Sequence, residues 1–171
     1  MSLEAALLRE HSRSNTDFLT NYILRNPEMF EELWIILLKN EDPLSRKAAW
    51  VADYCAEIRP DLIVERVEEL AQKVSTFKSD GLKRHALRML SRTTLPVQNL
   101  GYLIDVCFKW LENKSETVAV KVYCMLILSE VCKQLPELTN ELLDIINIQM
   151  PEATPGFKTC GKKIIKQLSK T

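Results

Sequence analysis

Apolar residues in the stretch Glu41–Ile63 fall at Leu44, Ala48, Val51, Ala52 and Cys55, and the stretch Asp80–Arg92 repeats the rhythm with Leu82, Ala86, Met89 and Leu90. A spacing of i, i+4, i+7, i+8 is the stripe of a helix packed on one side. No stretch alternates with period two long enough to predict a strand. The pattern predicts helices near residues 3–12, 16–25, 28–40, 43–58, 61–77, 81–93, 97–113, 116–134, 137–149 and 155–169. The expected core includes Leu44, Ala48, Val51, Ala86, Leu90, Leu126, Ile127 and Ile164.

Prolines punctuate this pattern. Pro27, Pro60, Pro96 and Pro136 each follow the end of one apolar period and precede the next, at intervals of 33, 36 and 40 residues. Proline suits the first turn of a helix, where its missing N–H costs nothing. Glu28, Asp61 and Glu137 follow three of them and favour the positive end of a helix dipole. A basic residue recurs in step at Arg46, Arg84, Lys121 and Lys158, spaced 38, 37 and 37. Periods of this size mark a repeat architecture.

Short connections (KNED, KSD, ENKS, PEAT) make consecutive helices antiparallel neighbours. The segment Asp42-Pro43…Arg46…Ala48-Ala49, with echoes at Asp80…Arg84…Ala86 and Glu116…Lys121, resembles HEAT or armadillo-like repeats over residues 16–169. Gly81 stands where that motif commonly has proline, and the fourth unit lacks the acid. The resemblance implies an all-α fold: a right-handed α-α superhelix, or solenoid, of about four to five antiparallel helix pairs. One domain is expected over residues 1–171, with a degenerate cap at 1–26 and a capping helix at 155–171.

Composition narrows the function. Lys plus Arg and Asp plus Glu both number 23, so no net field favours nucleic acid or a membrane surface. Only four glycines are present, and no P-loop, dinucleotide fingerprint or GxSxG occurs. His11 and His85 are far apart with no cysteine or carboxylate at metal spacing, so neither a metal nor another cofactor is expected. Cys55, Cys107, Cys124, Cys132 and Cys160 form an odd set without CxxC, which suits reduced, mostly buried thiols in a cytoplasmic protein. MSLEAALLREHSRS lacks the features of a signal peptide, and the sequon Asn113-Lys114-Ser115 reads as chance. The longest apolar stretch, Val118–Leu128, is interrupted by Lys121 and too short for a bilayer.

These features point to a non-catalytic scaffold that binds a protein or peptide with its second helices. The candidate groove residues are Arg46, Trp50, Asp53, Arg84, Arg88, Lys121, Met125, Lys158 and Lys162. Trp50 lies off the apolar stripe with Arg46, Asp53 and Glu57, either as a partner hot spot or covered by a neighbouring element. The basic series is either a binding row or a structural ladder paired with acids at helix starts, Asp42 or Asp80 for Arg46. Helix 116–134 is apolar nearly all round. It either sits centrally or offers Met125, Leu128 and Cys132 as a docking patch. First helices are acidic and second helices basic, so two faces of opposite sign are expected. The alternative function is a nucleic-acid-binding HEAT-like protein related to alkylpurine DNA glycosylases, with Trp50, Asp53 and Arg88 nearest to their tryptophan and aspartate machinery. An open basic cleft shared by Trp50 and Asp53 would favour it.

Overall fold

The computed structural model describes residues 2–170, and the described residues form ten α-helices with no strand. They are α1 (Leu3–Leu8), α2 (Arg13–Arg25), α3 (Met29–Leu38), α4 (Leu44–Ile58), α5 (Val67–Lys73), α6 (Asp80–Ser91), α7 (Gly101–Glu112), α8 (Val118–Gln134), α9 (Thr139–Gln149) and α10 (Pro155–Leu168). The chain divides into two compact units, Met1–Thr93 and Thr94–Thr171.

In the first unit α4 is the central element, packed against α1, α2, α3 and α6. Its sequence suits that place, because Ala48, Ala49, Ala52 and Ala56 let neighbouring helices approach closely, and all are buried. Around it Phe30, Leu33, Trp34, Leu37, Leu82 and Leu87 are almost wholly removed from solvent. Each such side chain contributes roughly 1.5–3 kcal/mol relative to exposure. In the second unit α8 has the same role among α7, α9 and α10. Its all-round apolar character is thereby explained, since Val120, Cys124, Met125, Ile127, Leu128, Val131 and Cys132 are all buried.

Helix starts follow local chemistry. The hydroxyls of Ser2, Ser12, Ser79 and Thr154 accept from the backbone N–H three residues on, capping α1, α2, α6 and α10. After α3 the chain turns through Asn40 at φ 58°, a left-handed conformation that asparagine tolerates. The Asn40 amide then donates to the Thr76 carbonyl at 2.9 Å and ties that turn to the segment beyond α5.

Four sequence expectations require correction. The helix expected over 61–77 is broken into turns at Pro60–Leu62, Val64–Arg66 and Val74–Thr76 around the short α5. Ile63 at φ −115° and Arg66 at φ −105° stay in the right-handed region but mark the joints between these short turns, which periodicity alone does not reveal. Pro60 and Pro136 begin 3₁₀ turns, and Pro96 precedes one, so the α-helices start later, at Val67, Thr139 and Gly101. The expected helix 3–12 ends at Leu8, leaving His11 exposed in a connection. Of the expected core, Ala48, Val51, Ala86, Leu90, Ile127 and Ile164 are buried, whereas Leu44 and Leu126 are half-buried.

The repeat is visible in the tertiary hydrogen bonds. Trp34 donates to Glu69 at a separation of 35, Asn40 to Thr76 at 36, and Lys39 to Glu4 at 35. In the second unit Gln134 donates to the Leu95 carbonyl at 39, and Gln149 to the Leu111 carbonyl at 38. Equivalent positions of adjacent repeats meet, so interactions accumulate at one chain offset.

Candidate functional site

The densest polar constellation in the first unit lies where α4 faces α6. On α4 the positions 50, 53, 54 and 57 share one side of the helix and bring Trp50, Asp53, Tyr54 and Glu57 together. On α6 and its C-cap, Arg84, His85, Arg88 and Arg92 do the same.

Asp53 is the hub, and it has no solvent exposure at all. Its Oδ2 accepts from His85 Nδ1 at 2.9 Å and from Arg88 Nη1 at 2.9 Å. Its Oδ1 accepts from Arg92 Nη2 at 2.7 Å, and the same Nη2 reaches the Asp53 carbonyl at 3.1 Å. Arg88 uses Nη2 for Glu57 at 3.1 Å, so it bridges a buried and an exposed carboxylate. Burial pushes the Asp53 carboxyl up. The His85 hydrogen bond, the charge of Arg92 and the Arg88 hydrogen bond together outweigh it, and the pKa ends below the ordinary value.

His85 is buried, and burial followed by the charges of Arg84 and Arg88 lowers its pKa despite Asp53. Near pH 7 the ring is therefore neutral. Nδ1–H donates to Asp53, and Nε2 accepts from Arg84 Nη2 at 3.3 Å, which assigns the tautomer from the hydrogen bonds. Its face stacks on Trp50 at 6.0 Å and 17°. Trp50 in turn meets His11 edge-on at 5.5 Å and Tyr54 at 6.2 Å, while the Arg13 guanidinium lies 4.8 Å from the Tyr54 ring centroid. The surface thus shows a row of rings, His11, Trp50 and Tyr54, with Arg13 against Tyr54 and Arg84 against His85.

The residues singled out from the sequence divide between the two units. In the first, Arg46 pairs at 2.9 Å with Asp42, in the turn just before its helix, as one of the expected structural pairings. Trp50 is half-buried, and Arg84 is exposed. Arg88 is engaged with two carboxylates. Asp53, expected on the polar stripe, is instead sealed inside the ion cluster, because three donors from α6 and its C-cap converge on it. In the second unit Met125 is fully buried, since the centrality of α8 leaves no open side there, and it forms no docking patch. Leu128 and Cys132 are buried with it. Lys121 is nine-tenths buried and donates to Gln149 at 2.9 Å, Lys158 is half-buried, and Lys162 is exposed.

His85, Arg92 and His11 were missed by sequence reasoning. The first two could have been found by adding one repeat length to Asp53, since they lie 32 and 39 positions beyond it. His11 carries no such signal, because the end of α1 set its place. Among the described residues no cluster of His, Cys, Asp or Glu could hold a metal ion, and no helix is long and apolar enough to cross a membrane.

No curated protein and no solved structure gives a significant match to this chain. A HEAT repeat domain family matches residues 3–168. With nearly the whole sequence matched, and with tertiary hydrogen bonds recurring one repeat apart, the chain belongs to the HEAT repeat family.

Proposed function

We propose that the protein is a non-catalytic binding scaffold for an acidic protein or peptide segment, and that the α4–α6 face of the first unit is its docking surface. One observation carries this reading: Trp50 is fixed between His11 and His85 while remaining half-exposed beside Arg84. An aromatic anchor held rigid before binding loses little conformational entropy on contact, and tryptophan and arginine are the typical hot-spot residues. Arg84 supplies charge complementary to a carboxylate on the partner, whereas Arg13 is already paired with Asp17 at 2.9 Å and Arg92 with Asp53. The HEAT family is itself a repeat scaffold, which supports the same conclusion.

The glycosylase-like alternative draws less support. Asp53 would have to face an open cleft to act on a base, yet its carboxylate is fully enclosed and satisfied by His85, Arg88 and Arg92. All five cysteines are free thiols, in keeping with a proposed cytoplasmic location.

Selection of a peptide library on the intact protein tests the reading. Enriched peptides should carry acidic residues beside an apolar one, and Trp50→Ala and Arg84→Glu should each weaken binding at least tenfold without changing the far-UV circular dichroism spectrum. A gel shift with duplex and single-stranded DNA at about 150 mM salt should show weak binding or none. Submicromolar duplex binding abolished by Arg84→Glu would replace the scaffold reading with the nucleic-acid one.

A further inference from the structure

The second unit contains a cavity of about 490 Å³, within the roughly 300–1,000 Å³ typical of small-molecule sites. It lies where the start of α8 and the end of α9 meet the connection into α10. Lys121 lines it, and its packed stem leaves the residue only 9% exposed. Lys121 Nζ donates to Gln149 Oε1 at 2.9 Å. Gln149 cannot turn away, because its Nε2 donates to the Leu111 carbonyl at 2.8 Å. The acceptor in contact with this ammonium is therefore neutral, and Glu116 acts on it only through space.

The remaining lining narrows what can enter. Val118, Ile148 and Phe157 form an apolar wall, and Ile148 is 79% exposed although large and hydrophobic. Lys114 adds a second positive charge, whereas Glu116 and Glu152 add two negative ones. This balance accommodates one anionic group at Lys121 and repels a polyanion.

We propose that this cavity is a binding site for a small monocarboxylate with an apolar tail, its carboxylate on Lys121 and its tail along Val118, Ile148 and Phe157. The site belongs to the second unit and does not depend on the docking surface proposed above. Burial lowers the Lys121 pKa, with Glu116 acting in opposition. Bound carboxylate restores the charged form, so binding weakens as pH rises through the range where Lys121 loses its proton.

The probe is hexanoate, with hexanol and hexylamine as controls, titrated into the full chain and followed by the NMR signals of the Gln149 side-chain amide and Phe157. Hexanoate should shift them saturably, and the two controls should not. Lys121→Met keeps the length of the stem and removes the charge, so it should fold and weaken hexanoate binding at least tenfold. Ile148→Glu is a second variant at a surface position that tolerates change. It places a negative charge on the rim and should weaken binding several-fold even if Lys121→Met does not fold. Absence of saturation, equal shifts with hexanol, or unchanged affinity in whichever of these variants folds would overturn the proposal.

Discussion

Asp53 Oδ2 and Arg88 Nη1 meet at 2.9 Å from residues 35 positions apart, one on each of two successive second helices. The pair is the repeat expressed as a contact, and the Asp53 side chain is wholly buried while the Arg88 side chain keeps a quarter of its exposure. That asymmetry determines the consequence of breaking it. Asp53→Ala leaves His85 buried without its acceptor and frees two arginines that can partly rehydrate. Removing one partner of a buried charged network costs several kcal/mol, and the escape of the arginines places the expected loss at the low end, about 3 kcal/mol. Asp53→Asn keeps shape and an acceptor and should cost less. Urea unfolding of both variants measures the difference.

The neutral His85 makes stability depend on pH. Its folded pKa lies below the ordinary imidazole value, because burial and the charges of Arg84 and Arg88 outweigh Asp53. Below about pH 6.5 the unfolded chain therefore takes up a proton that the folded chain resists. Stability should rise with pH through that window and lose this contribution as pH falls from about 6.5 toward the folded value. Asp53, whose pKa is depressed, adds its own loss only at lower pH, beneath the ordinary carboxylate range. Denaturation midpoints measured from about pH 5 to 7.5 should slope upward in the wild type, and His85→Gln should flatten the slope.

The thiols should react in a definite order. Burial pushes Cys55 up to about 12, with the Thr20 hydrogen bond opposing, and Cys107 is raised by burial and by the neighbouring Cys124. Cys55, Cys107, Cys124 and Cys132 are buried, whereas Cys160 is half-buried, and Lys163 partly offsets the effect of burial on it. A thiol-specific reagent at about pH 8 should label Cys160 first, identified by peptide mapping, and the other four only after denaturant is added. Fast labelling of Cys55 or Cys124 in the native protein would contradict the packing of α4 and α8.

The period of the repeat was legible because proline and the apolar stripe are chain-local signals, and both recur at the offset that tertiary hydrogen bonds later follow. The role of α8 was legible for the same reason, since a helix apolar on nearly every side has to be surrounded. Ile63 and Arg66 were not legible. They join the 3₁₀ turns Pro60–Leu62 and Val64–Arg66 to each other and to α5, and neither residue type announces it. Nor was the Asp53 cluster. On one helix Asp53 looks like part of a polar stripe, and only the facing α6 turns that stripe inward and supplies His85, Arg88 and Arg92.

Gly81 gives the sharpest test of the packing between repeats. It occupies the second position of α6, and a Cβ added there would lie 2.5 Å from Arg46 Cδ and 2.8 Å from Arg46 Cγ. Those atoms belong to the stem of an arginine whose Nε is held by Asp42 Oδ1 at 2.9 Å, so the stem cannot yield without disturbing that pair. Alanine gains up to about 1 kcal/mol over glycine in a helix, less in the first turn, while forced overpacking costs about 1–3 kcal/mol. The clash should win, and Gly81→Ala should destabilise by about 1 kcal/mol. Arg46→Ala alone should cost only about 0.5 kcal/mol, because the Asp42–Arg46 pair is a partly exposed i,i+4 interaction. In the Arg46→Ala background the obstacle is gone, and Gly81→Ala should change sign and stabilise the protein by about 0.5 kcal/mol. A double-mutant cycle by urea denaturation reads this reversal directly. Additive effects would show that the arginine stem does not constrain position 81.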